Sequence, residues 1–248
     1  MNFTLLSTFF ILLGIFCALL ITIDILRHPQ QMAVMNFVWP INALWAGPLC
    51  VWAYFTLGKH RKMDMPDMNM KSMDMKSMTM ESMDMGKMKM DMDMDKPKKE
   101  YSSYWQGIIV DTLHCGAGCT LADLIGPVLF TFIPFTLFNQ LTFGEWLLDF
   151  FIALIIGATF QYAAIAPTLK EKGIKTWLKA LKIDFLSLTA WQVGMYGWMA
   201  IVIFVLFGKF SIQTPEFWFM MQIAMCFGFI TAYPMNWCLV KMGIKSGM

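Results

Sequence analysis

The residues best suited to chemistry lie in one short run of the sequence, Asp-Thr-Leu-His-Cys-Gly-Ala-Gly-Cys-Thr-Leu-Ala-Asp at 111–123. Two sulfurs with one nitrogen suit Cu(I) or Zn(II), whereas the C-x3-C spacing differs from the redox C-x-x-C pair. If the run is helical, its aspartates and cysteines recur every four residues and share one face. If its glycines form a turn, the histidine and the cysteines can still converge. The candidate metal ligands are Asp111, His114, Cys115, Cys119 and Asp123.

Two other interpretations of this run stay open. Cys115 and Cys119 could act as a thiol pair in a membrane redox enzyme or assembly factor. Alternatively, the small residues could only let helices approach closely in a structural subunit. The sequence holds no zincin motif, no phosphate loop and no catalytic constellation, so it does not identify an enzyme.

A second concentration of soft ligands is a five-residue repeat, with fourteen methionines between Met63 and Met94. A period of five matches neither a helix nor a strand, so the repeat predicts a disordered loop. Thioethers suit Cu(I), and paired methionines on a flexible chain can close around one ion. The alternative is a passive repeat that only absorbs oxidants. The paired methionines are Met63, Met65, Met68, Met70, Met73, Met75, Met78, Met80, Met83, Met85, Met88 and Met90.

The elements that must position these residues are membrane helices. Hydrophobic residues make up 58% of the chain and charged residues 15%, against about a quarter charged in soluble domains. The apolar run from Trp105 to Phe138 is too long for one straight span, so we expect a break at residues 116–118 and a span over 120–139. A long tilted helix with a kink is the alternative. The sequence therefore predicts an all-α, polytopic membrane helical bundle of about six transmembrane helices. The other five spans lie near 3–26, 33–57, 146–167, 184–207 and 216–239.

Charge counting predicts the orientation of these spans. With six spans, 17 of the 19 lysines and arginines lie on one side, and only Arg27 and Lys209 lie on the other. The positive-inside rule then places both termini and the methionine-rich loop in the cytoplasm. The expected location is a bacterial inner membrane, which the protein crosses several times. The expected partners are the lipid bilayer and a metal donor or acceptor protein, and no nucleic acid. The predicted regions are a transmembrane hairpin at 1–58, the loop at 59–100 and a four-helix membrane domain at 101–248.

Polar side chains recur within the predicted spans, where ionisable groups are costly and often functional. The topology places several of them in the cytoplasmic halves of their helices, where they could share one polar pocket. They are Asp123, Gln161, Tyr162, Asp184, Ser187, Gln192, Tyr233 and Asn236.

Four segments carry a family resemblance: Thr112 to Cys119 with its HCGAGC run, FQYAAIAP at 160–167, DFLSLTAWQVGMYGWMA at 184–200 and FWFMMQIAM at 217–225. In combination they resemble bacterial membrane proteins that share an uncharacterised DUF-type domain, over about residues 104–245. The resemblance implies a fold and assigns no activity or functional residue. A suspected association of such domains with copper agrees with the soft-ligand interpretation. We therefore expect a membrane protein that handles Cu(I) through the loop and the His-Cys-Cys run.

Overall fold

The structure is a computed structural model, and it describes residues 2–30, 32–58, 104–165, 173–243 and 245. Within these ranges the chain forms seven α-helices and no strand, which confirms the all-α bundle. The methionine-rich repeat lies outside the described residues. The helices are α1 Phe3–Arg27, α2 Met35–Ala46, α3 Pro48–Ala53, α4 Tyr104–Phe132, α5 Leu141–Ile165, α6 Ile174–Ile201 and α7 Pro215–Lys241. Two π-helical turns, Tyr54–Gly58 and Val202–Leu206, extend α3 and α6.

Five of these helices are long and apolar enough to cross a membrane: α1, α4, α5, α6 with its π-helical extension, and α7. Their lengths suit a hydrocarbon core of about 30 Å. The chain thus has the architecture of a multi-pass membrane protein. Helix α4 is its centre, because 61% of its most apolar window is buried, against 22–33% for the other four.

The segment predicted as the second span folds back on itself instead of crossing. Gly47 reverses the chain with φ 52° and ψ −127°, a conformation that a residue with a Cβ rarely adopts. The rings of Trp39 and Tyr54 lie 5.6 Å apart, whereas a straight helix would separate these residues by about 22 Å. Helix α2 and the α3 arm therefore form a re-entrant hairpin, and each arm is too short to span the bilayer alone.

This hairpin changes the side on which the chain begins. The ring of Phe3 stacks on Phe207 at 5.6 Å, and the Thr4 hydroxyl donates to Glu216 at the start of α7. At the other end of α1, Asp24 accepts a hydrogen bond of 2.8 Å from Tyr54. The prediction that both termini share one side is therefore wrong, since α1 and α7 begin at the same end of the bundle.

We name the two ends of the bundle after the lysines that mark them. The Lys209 end holds the start of α1 and the connections 133–140 and 207–214. The Lys245 end holds Arg27, both ends of the hairpin, and the starts of α4 and α6. Among the described residues Lys209 is the one basic residue at its end, so the charge asymmetry is stronger than six spans predicted.

Helix α4 runs unbroken through the segment where the sequence predicted a break. Gly118 meets the backbone of α5, since a Cβ there would lie 2.8 Å from the Cα of Gly157. Gly116 faces the indole of Trp191 on α6 in the same way. The predicted break and the predicted span 120–139 are thus wrong, because these glycines permit close helix packing. The helix ends at Phe132, and a short turn then leads into α5.

Candidate functional site

One face of α4 carries the chemistry-bearing run along the bundle axis. Because the helix is continuous, Asp111, Cys115, Cys119 and Asp123 follow one another at successive turns, and each is at most 1% exposed. The first and last of them are separated by about 18 Å, more than half of the hydrocarbon thickness. The predicted shared face is therefore confirmed, and it forms a polar stripe inside an apolar bundle.

The thiol of Cys115 joins this stripe to α6. Its Sγ lies 3.4 Å from Oδ2 of Asp184, to which it can donate, and it accepts the Ser187 hydroxyl at 3.3 Å. All three side chains are at most 2% exposed. Cys115 is thus held in a polar environment on two helices, unlike a cysteine that only fills an apolar gap.

A lysine from beyond the last helix completes this cluster. Lys245 is 2% exposed, and its Nζ donates to Asp184 at 3.2 Å and to Oδ1 of Asn236 at 3.0 Å. Burial lowers the pKa of Lys245, but the charges of Asp184 and Asp111 raise it more, so that the pKa lies above its ordinary value. Sequence reasoning missed Lys245, because a lysine in a terminal tail gives no signal of burial.

At the other end of the stripe, Asp123 meets a second aspartate, Asp149 of α5. The Tyr196 hydroxyl lies 3.0 Å from Oδ2 of Asp149 and 2.8 Å from the carbonyl oxygen of Trp146, and its single proton serves one of them at a time. Gly126 makes room for this carboxylate, because a Cβ there would lie 2.6 Å from Asp149 Oδ1. Sequence reasoning did not pair Asp123 with Asp149.

The two carboxyl groups lie within hydrogen-bonding reach of each other. Among the residues that the structure describes, no side chain donates to either oxygen of Asp123 or to Oδ1 of Asp149. Two neighbouring carboxylates cannot hydrogen-bond to each other, since an ionised carboxylate only accepts. A proton or a cation at this position is needed to offset their repulsion in a lipid-embedded core.

The eight polar residues expected to share one pocket fall into separate groups. Asp184, Ser187 and Asn236 belong to the cluster around Lys245, whereas Gln192 lies beside Asp149, nearer the Lys209 end. Gln161 is buried, and its Oε1 has no hydrogen-bond partner. The sequence thus identified buried polar positions but not their partners.

The predicted metal ligands do not gather around one point in this conformation. Within the described ranges, no three His, Cys, Asp or Glu side chains are placed to hold a metal ion together. His114 is 1% exposed, its ring lies 6.4 Å from that of Phe160, and its Nε2 has no hydrogen-bond partner. Ligation by His114, Cys115 and Cys119, with Asp111 and Asp123, stays a prediction, as does ligation by the methionine repeat outside the described residues.

The geometry disfavours the thiol-redox interpretation. Cys115 and Cys119 are both free thiols, one turn apart on a regular helix. Side chains at this spacing have Cβ atoms about 5–6 Å apart, whereas a disulfide needs about 3.5–4.5 Å. Oxidation to a disulfide would therefore distort the most buried helix of the bundle.

A comparison with known proteins finds one family. Residues 104–245 match a family model described as "Domain of unknown function (DUF4396)". The match covers α4 to α7 and the Lys245 tail, and it leaves out α1, the re-entrant hairpin and the methionine repeat. Neither the curated proteins nor the solved structures provide a match.

Proposed function

This chain belongs to the DUF4396 family of domains of unknown function, and we propose that it is a multi-pass membrane protein that handles Cu(I). The observation that carries the proposal is the concentration of fourteen methionines in residues 63–94. Thioethers are neutral soft ligands that favour Cu(I) over the hard cations of the cell. Charged and small residues separate these methionines, so no apolar face competes for their sulfurs.

The buried face of α4 supports a role for the membrane domain in the same function. It holds two reduced thiols, Cys115 and Cys119, and the orphaned Nε2 of His114. A buried nitrogen without a partner calls for an explanation, and a metal ion is one. A helix rotation or a side-chain rearrangement on binding is required, because the three donors do not converge in this structure.

The proposed location is a bacterial inner membrane, with the Lys245 end in the cytoplasm. Supporting this orientation, the described lysines and arginines other than Lys209 lie at the Lys245 end, as the positive-inside rule demands. Gly58 and Tyr104, which flank the methionine repeat, also lie at that end. The repeat would then exchange Cu(I) with a cytoplasmic donor or acceptor protein.

Cu(I) stoichiometry tests this function on purified protein, against a calibrated chelator under anaerobic conditions. The variants are a deletion of residues 63–94, the Cys115→Ser/Cys119→Ser double variant, and Cys226→Ser/Cys238→Ser as a control with two exposed thiols. We expect the first two variants to lose tight sites and the control to retain them. A wild-type chain that binds no more Cu(I) than the deletion would exclude copper handling by the repeat.

A further inference from the structure

The Lys209 end of the bundle contains a cavity that the sequence did not indicate. Its volume is about 30 Å³, enough for one or two water-sized groups. Helices α5, α6 and α7 form its walls, and Pro127 of α4 also lines it. The side chains that matter for its chemistry are Trp146, Asp149, Met195, Tyr196, Met199 and Met221.

Three methionines line this cavity from two helices. Met195 and Met199 are one turn apart on α6, which places them on the same face, and Met221 approaches from α7. Each of the three is at most 6% exposed. Three methionine side chains around one small space would supply a soft, neutral donor set that suits Cu(I).

A buried carboxyl group that forms no ion pair within the described residues also lines the cavity. Asp149 lines it and is 4% exposed, and its Oδ1 has no hydrogen-bond partner within the described part of the chain. Glu145 lines it too but is already neutralised by Lys209 at 2.8 Å. Asp149, with Asp123 beside it, therefore remains to bind a proton or a cation.

An aromatic wall adds to this attraction. Trp146 stacks on Tyr196 with ring centroids 5.0 Å apart and an interplanar angle of 7°, and both rings line the cavity. Aromatic faces attract cations most strongly where water is excluded. Methionine in a core usually fills space because its side chain adapts, yet here three methionines line a space that stays open beside Asp149.

We propose that this cavity is a binding site for a soft monovalent cation, Cu(I), held by the thioethers of Met195, Met199 and Met221 with the carboxylate of Asp149. The inference rests on the proposed function and deepens it. It adds a site at the Lys209 end, whereas Gly58 and Tyr104 lie at the opposite end of the bundle. The membrane domain would then contact Cu(I) at both the Lys209 end and the Lys245 end.

The test uses methyl-¹³C-methionine NMR on the full chain in detergent, titrated with Ag(I) as a redox-inert surrogate for Cu(I). Single Met→Leu variants assign each methyl signal. We expect the signals of Met195, Met199 and Met221 to shift at stoichiometric Ag(I). Met220 is the matched control, because it is equally buried in the same apolar cluster but does not line the cavity, and its signal should not shift.

A second measurement separates binding from folding. The Met195→Leu/Met199→Leu variant, which nearly conserves volume, should weaken Ag(I) binding at this cavity by more than about tenfold, read from the Met221 methyl. Met220→Leu should leave it unchanged. Shifts confined to the methionines of 63–94 would overturn the cavity site and leave the proposed function standing. No shift in either set would overturn both.

Discussion

Lys245→Met should destabilise the membrane domain, because it removes the counter-ion of a buried carboxylate. The side chains of Lys245 and Asp184 are only 1% and 3% exposed, with Nζ and Oδ1 3.2 Å apart. Methionine keeps the length and most of the volume of the lysine, so the change is mainly one of charge. Asp184 would keep Cys115 as a partner but lose its cation.

The expected magnitude follows from the burial of the pair. Breaking a buried ion pair by removing one partner costs about 3–5 kcal/mol, because a charge is left uncompensated. For a chain of about 250 residues each kcal/mol corresponds to about 2–4 °C in Tm, so the Tm should fall by about 6–20 °C. Removing both charges together should cost less than removing one.

The assay is thermal unfolding in one detergent of the wild type, Lys245→Met, Asp184→Asn and the double variant. Lys241→Met is the matched control, since Lys241 is exposed in the last turn of α7 and should change stability by less than about 0.5 kcal/mol. We expect the double variant to be more stable than Lys245→Met. If the losses of the two single variants simply add, Lys245 and Asp184 do not interact, and the account of this cluster is refuted.

Three further predictions concern packing, pH and the thiols. Gly118→Ala should destabilise the bundle by about 1–3 kcal/mol through contact with α5, whereas Gly197→Ala, with open space around it, should be neutral or slightly stabilising in thermal unfolding. The pKa of Lys245 is raised in the folded state from 10.5, so its contribution to folding stability should be full at neutral pH and should fall only as the pH rises above about 10.5. The difference in Tm between wild type and Lys245→Met measures this contribution. If that difference disappeared near pH 7, the assignment of the ion pair would be contradicted. Mild oxidation should leave Cys115 and Cys119 uncrosslinked by mass spectrometry, and a ready intramolecular disulfide would revive the redox interpretation.

Hydropathy placed four of the five long helices, α1, α5, α6 and α7, because a bilayer requires about twenty apolar residues per crossing and the sequence shows these stretches directly. It misplaced α4, whose apolar run was divided at 116–118 although the helix is continuous. It failed at 33–57, where the length fits a span but Gly47 turns the chain back. Hydropathy indicates which residues lie in lipid, but it does not show whether an apolar segment crosses the bilayer or turns back within it. Since each crossing inverts the assignment of sides, this one false span moved the N-terminus to the wrong end.

The candidate site was predicted in part for a similar reason. The four-residue spacing of Asp111, Cys115, Cys119 and Asp123 gave their shared face, because local periodicity determines which helix residues align. Their partners Asp149 and Lys245 come from other elements, and single-sequence periodicity contains no information on which helices become neighbours.

The re-entrant hairpin sets the order in which this protein can be assembled. Its tip lies deep in the bundle, where the carbonyl of Leu44 accepts a hydrogen bond of 2.7 Å from Gln222 of α7, and the Asn42 amide donates to the Leu113 carbonyl of α4 at 2.8 Å. Lipid supplies neither partner. The hairpin is synthesised early, but the Leu44 carbonyl at its tip gains its partner only after the last helix has inserted. Until then it must wait at the membrane surface or within the insertion machinery, so a chain truncated before α7 should leave its N-terminal region unprotected from proteases.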